Sequence, residues 1–171
     1  LEKRIQRVGT SAWRVAAVAA SDRDGELVLA VQHDAETGWN ATVRRDGRED
    51  ALTRRVPCRR LSSIVPYATL VKLDVEGHEG VILDDALVAL ERVHTWALEL
   101  YSTANRPLQH TLRRFVVQGF SLVAAGWPAG DPDGPWLSIP IGPDLTWEQV
   151  PVARPLADGS ELRVLHVVAR R

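Results

Sequence analysis

From Thr69 to Ala125 the chain alternates between two hydrophobic periods, and that alternation constrains the fold more than any other feature. TLVKLDV (Thr69 to Val75) reads as a strand. The segment from Gly77 to about Arg92 reads as a helix, with Ile82, Ala86, Ala89, Leu90 and Val93 at helical spacing on one side. WALELYS (Trp96 to Ser102) is a second strand. Pro107 to Gln118 is a second helix, with proline suited to its first turn and Gly119 to its C′ position. FSLVAA (Phe120 to Ala125) is a third strand. Strand–helix–strand–helix–strand is the pattern of right-handed crossovers in a parallel α/β sheet, where ligands collect beyond the carboxyl ends of the strands.

The flanking segments are less regular. Leu1 to Val8 reads as the end of a helix stopped by Gly9. WRVAAVAA (Trp13 to Ala20) reads as a buried strand, closed by the turn SDRDG, and ELVLAVQ (Glu26 to Gln32) as the next strand. His33 to Thr53 is polar and without period, so it is expected to be a long mobile loop. RRVPCRRL alternates weakly, and Pro57 points to an edge strand or a bend. WPAGDPDGPW is a Pro/Gly loop, with Trp39, Trp127 and Trp136 expected to pack loops onto the body and Trp96 expected in the core. ELRVLHVVARR (Glu161 to Arg171) is a last strand. A single domain over residues 1–171 is expected, since this length can bury a sizeable core.

Hydrophobic content of 45% and charged content of 25% argue against wholesale disorder. A net charge of −1 gives no electrostatic reason to expect a nucleic-acid or anionic-membrane partner, and the arginine pairs are interrupted by acids. No apolar run reaches membrane-spanning length and no secretory signal opens the sequence, so the expected location is the cytoplasm. One cysteine, Cys58, leaves neither an intrachain disulfide nor a cysteine-based zinc site, and its apolar surroundings predict a buried, inert thiol. The chain holds no Met and begins LEKRIQR, which reads like mid-helix, so a processed or partial chain is expected.

VKLDVEGHEG (Val71 to Gly80) carries the densest chemistry. Asp74 interrupts an apolar strand, and a buried, unpaired carboxylate costs several kcal/mol, so it needs a partner, a ligand or an exposed strand end. In the structural alternative Asp74 pairs with Lys72 or an arginine, while Glu76 and Glu79 serve the positive end of the helix dipole. A metal site from Asp74, Glu76, His78 and Glu79 is the sharper alternative, though the spacing matches no specific ligand motif. No GxSxG elbow, no GxxxxGK[ST] loop and no GxGxxG after a strand occurs in the chain.

With its apolar helix and WALELY following, this motif resembles the FkbM family of S-adenosylmethionine-dependent methyltransferases. Their hallmark is a strand ending K-[IL]-D-[VI]-E-G-x-E, a helix, and a strand ending in Glu. Lys72, Leu73, Asp74, Val75, Glu76, Gly77, Glu79 and Glu99 match it. AVAASDRDGELVL, VPCRRLSSIV, RRFVVQGFSLV and RVLHVVARR look like further family segments, with Ser62 where Asp is usual, Gly80 for a larger residue, and Asp84-Asp85 for Lys-Gly. The resemblance implies an α/β, class I (Rossmann-like) methyltransferase fold: a mostly parallel sheet with an antiparallel last strand, here lacking its N-terminal strands and glycine loop.

The resemblance also implies S-adenosylmethionine as cofactor, contacted by Ala20, Ser21, Asp22 and Asp74, and a small-molecule hydroxyl acceptor, a sugar or natural product. Asp74 would orient or deprotonate that hydroxyl with Glu76 or Glu99 behind it, while Glu79 supports the loop and helix start. The absent strands would leave Trp13 to Ala20 and Thr69 to Val75 with open edges, so weak cofactor binding by these residues alone and self-association through the edge are expected. A non-catalytic α/β interaction module and a carboxylate-metal hydrolase are the competing readings.

Overall fold

The structure is a computed structural model, and it describes residues 14–34, 38–43, 52–102, 109–126, 137–145, 152–155 and 161–171. The helix expected over Leu1 to Val8 and the loop bearing Trp127 and Trp136 lie outside these residues, as does the side chain of Trp39.

Among the described residues ten strands and three helices follow one another: β1 (Ala19–Ser21), β2 (Gly25–Asp34), β3 (Gly38–Val43), β4 (Thr53–Arg60), α1 (Leu61–Ile64), β5 (Leu70–Leu73), α2 (Glu79–Ala89), β6 (Thr95–Ser102), α3 (Gln109–Val117), β7 (Ser121–Gly126), β8 (Leu137–Pro140), β9 (Val152–Pro155) and β10 (Glu161–Arg170). They form two sheets. One has the order β1-β4-β2-β3; the other has β5-β6-β10-β7-β8, with β9 also paired to β10. Among the described residues no helix is long and apolar enough to cross a membrane.

This arrangement corrects the expected mostly parallel, Rossmann-like methyltransferase sheet. Only β1 with β4 and β5 with β6 are parallel; the other six ladders are antiparallel. The physical reason lies in the connections. A long crossover, usually a helix, is needed to set adjacent strands parallel, and in the second sheet only β5–α2–β6 provides one between neighbours. The α3 crossover carries β6 to β7, but β10 runs antiparallel between them. In the N-terminal half β2 runs antiparallel to both β3 and β4.

Other expectations shift with it. The apolar run from Trp13 is a strand only from Ala19, and Arg14 to Ala17 are exposed rather than buried. The stretch from His33 to Thr53 contains β3, paired with β2 from Leu29↔Val43 to Asp34↔Gly38. Pro57 sits in β4, which lies between β1 and β2 and not at an edge. The ladder to β1 begins only at Cys58, so one side of the strand is unpaired at the proline that lacks an N–H.

The main core lies against one face of the six-stranded sheet. Val71 and Leu73 of β5, Trp96, Leu98 and Leu100 of β6, and Leu165, Val167 and Ala169 of β10 alternate inward, as a period of two requires. Ile82, Leu83, Ala86 and Leu87 of α2, with Leu112 and Phe115 of α3, close over them. Phe115 meets Trp96 and Phe120 edge-on at centroid distances of 6.0 and 5.4 Å. Burial of each large side chain contributes about 1.5–3 kcal/mol. The alternate residues, Lys72, Ala97, Glu99, His166 and Val168, therefore point to the other face.

Candidate functional site

The sheet delivers its carboxylates by parallel pairing. Leu73 lies opposite Leu98 at the last step of the β5–β6 ladder, so Asp74, just past the end of β5, and Glu99, inside β6, follow one step beyond it. Both stand on the face away from α2 and α3. Asp74 is exposed, and its Oδ2 accepts a hydrogen bond from Lys72 Nζ at 2.7 Å. That bond raises the Lys72 pKa above the ordinary lysine value, and the Asp74 and Glu99 charges add to it against a small desolvation effect. The Lys72 partner foreseen for Asp74 is thus present, at a strand end open to solvent.

Beyond Asp74 the chain turns sharply. Glu76 has φ +52° and Gly77 has φ +93°, two consecutive residues in a region that favours glycine. Glu79 holds this turn. Its side chain bends back from the first residue of α2, and Oε1 accepts hydrogen bonds from the N–H groups of Val75 and Gly77, both at 3.1 Å. The residue is only 3% exposed. Burial raises its pKa above the usual glutamate value, and the Asp74 charge adds to the rise; the backbone N–H groups of Glu79, Gly77 and Val75 pull it down. Glu79 therefore supports the loop, as the resemblance implied, more than it serves the helix dipole.

Glu76 contributes its backbone to the contact between the sheets. Its carbonyl accepts a hydrogen bond from Thr42 Oγ1 on β3 at 3.1 Å. His78 caps the helix start without a side-chain capping bond, and it is buried. Asp74 is exposed and His78 is not, so the four-residue metal cage considered above does not assemble. Among the described residues no group of three or more potential metal ligands is gathered.

Ala20, Ser21 and Asp22 stand at the end of β1, in the other sheet. Ser21 is 1% exposed and its hydroxyl donates to Asp22 Oδ1 at 3.0 Å. Asp22 is the polar residue of the three that reaches the surface. α2 packs against both β1 and β4, which brings that sheet alongside the helix following Asp74. Arg60 and Ser62 strengthen the junction by donating to the two oxygens of Asp85 on α2, at 3.0 and 3.3 Å.

The site contains one residue that the sequence did not mark. His166 on β10 pairs with Glu99 across the strands, with Nδ1 lying 4.0 Å from Glu99 Oε2. Alternation in RVLHVVA puts His166 on the opposite face from Leu165 and Val167, which was legible. Its neighbour was not, because that depends on the register between strands over sixty residues apart. Asp74, Glu99 and His166 thus lie across three neighbouring strands, β5, β6 and β10. A row of this kind can bind hydroxyl groups and move a proton. No protein-family model matches the chain, and neither the curated proteins nor the solved structures hold a match to it.

Proposed function

We propose that the chain takes part in methyl transfer from S-adenosylmethionine to a hydroxyl of a small molecule, a sugar or natural product. The observation that supports this most is the placement of Asp74 and Glu99 at one end of the parallel pair β5 and β6, beside a backbone turn fixed by Glu79. The donor set suits the cofactor in part. Asp22 offers a carboxylate oxygen at the surface for an amino or hydroxyl group, whereas the buried Ser21 hydroxyl is already given to Asp22. Asp74 offers an anion for a polar or cationic portion.

When bound, S-adenosylmethionine supplies an electrophilic methyl group. The chain's own task is to orient the acceptor hydroxyl, because positioning contributes most to an in-line displacement. Lys72 occupies Asp74 Oδ2 and leaves Oδ1 as the oxygen to receive the hydroxyl hydrogen bond. Glu99, 22% exposed in its side chain, adds negative charge beside it.

Calorimetry with S-adenosylmethionine on the gene product that contains these residues tests the reading, together with tritium transfer from its labelled methyl group to monosaccharide acceptors. Binding that Asp22→Ala and Asp74→Ala both weaken is expected, with Asp74→Ala also slowing transfer about 10²-fold through lost orientation of the acceptor. Absence of binding at millimolar cofactor would sink the reading.

A further inference from the structure

We infer that His166 is the proton acceptor of this site and that Glu99 is its positioning partner. The inference rests on the methyl-transfer reading and extends it, since the carboxylates alone were first assigned that task. His166 is opposite Glu99 in the β6–β10 ladder, and the ring is turned so that Nδ1 is the nitrogen nearest the carboxylate. Nε2 is therefore the nitrogen on the far side of the ring, and the side chain is 48% exposed, so a bound hydroxyl can reach it.

The division of labour follows from the chemistry of the groups. Asp74 is already engaged by an ammonium at 2.7 Å. An imidazole is a stronger base than a carboxylate and is the better group to take a proton near neutral pH. A carboxylate facing Nδ1 selects the tautomer with its proton on Nδ1, which leaves the Nε2 lone pair available. At 4.0 Å the carboxylate faces Nδ1 beyond hydrogen-bond length, and catalytic contacts that are long in the free protein often tighten in the complex.

In the step itself the acceptor oxygen bonds to the methyl carbon as the carbon–sulfur bond breaks. The electron pair of that bond stays on sulfur and discharges the sulfonium. The hydroxyl proton passes to His166 Nε2, and the imidazolium so formed faces the Glu99 carboxylate. Asp74 holds the hydroxyl and does not take its proton.

Nitrogen-15 NMR of the imidazole, recorded in mildly alkaline buffer without cofactor, reads the tautomer directly. The Nδ1–H form is expected for His166, shifting toward Nε2–H in Glu99→Ala. An Nε2–H form in the wild-type protein, or a tautomer that Glu99→Ala leaves unchanged, overturns the inference alone. In the tritium assay His166→Asn is expected to lower kcat about 10²-fold or more with little change in KM. A wild-type kcat in that variant also overturns it. Both substitutions lie on a face away from the core, and their amide spectra check that each variant is folded. Methyl transfer missing from the wild-type protein would overturn the parent reading and this inference together, an outcome separate from a wrong tautomer.

Discussion

Glu79 is the residue on which the shape of the site turns, because one buried oxygen satisfies two backbone N–H groups of the loop. Removing it leaves those donors without that acceptor. Glu79→Ala is therefore expected to cost about 1–3 kcal/mol in urea unfolding. Glu79→Gln keeps an accepting oxygen and removes the charge that burial disfavours. The raised pKa makes the folded state bind a proton more tightly than the unfolded chain does. Its contribution to stability is then fully present below the unfolded glutamate value of 4.5 and is lost as pH rises through the higher folded value. Thermal unfolding of wild type minus Glu79→Gln should fall across that window and be flat above it. A difference that instead rises with pH would show the backbone hydrogen bonds outweighing desolvation.

At the scale of elements, two glycines carry the same backbone demand at different places. Gly77 has φ +93° in the site loop. Gly119 has φ +83° after α3, where its N–H donates to Val116 and the N–H of Phe120 donates to Phe115, a Schellman closure. Alanine at either position is expected to cost about 1 kcal/mol or more. Only Gly77→Ala should also weaken cofactor binding beyond its effect on folding, and equal binding in the two variants would detach the loop from function. The Gly119 stop was legible in sequence because a helix terminus is written within five residues. So were α3, β6 and β10, whose apolar residues recur at one clear period; α2 was legible as a helix, but Ala89 of its expected inner face is exposed while Leu83 and Leu87 are buried. β3 was missed although Trp39, Ala41 and Val43 alternate with Gly38, Asn40 and Thr42, because the run is short and lies inside a polar stretch; it forms by pairing along β2. The parallel reading failed for a related cause. Crossover helices announce parallel strands locally, but the residues of ELRVLHVVARR do not by themselves state which strands they pair with; the resemblance alone implied a last strand, antiparallel, between the two before it. The Glu99–His166 pair depends on the register of that strand, which no local pattern states.

The whole molecule places its stability unevenly. The continuous core runs from Leu61 and α2 through β6, β10 and α3, whereas Leu27, Val28 and Cys58 of the four-stranded sheet are buried apart from it. β6 and β10 are interior strands, and Arg171 anchors the chain end by stacking over Phe120 at 4.7 Å and donating to the Glu91 carbonyl. The sheets meet through α1, α2, the Arg60–Asp85 pair and the bond from Thr42 to Glu76, of which the last two are exposed and of modest strength. Regions with fewer buried apolar contacts open first. Native-state hydrogen exchange should show the amides of β2 and β4 opening at least about 2 kcal/mol below those of β6 and β10, which should exchange only through global unfolding. Phe115→Ala, which empties the centre of the aromatic chain, should lower protection in β6 and β10 by about 3–5 kcal/mol. Amides of β2 should fall with it only once global unfolding drops below their own opening energy. Equal protection in the two sheets of the wild type, falling in parallel in the variant, would mean one cooperative unit. The exposed bond between Thr42 and Glu76 would then couple the site loop to the hairpin far more tightly than its solvent exposure implies.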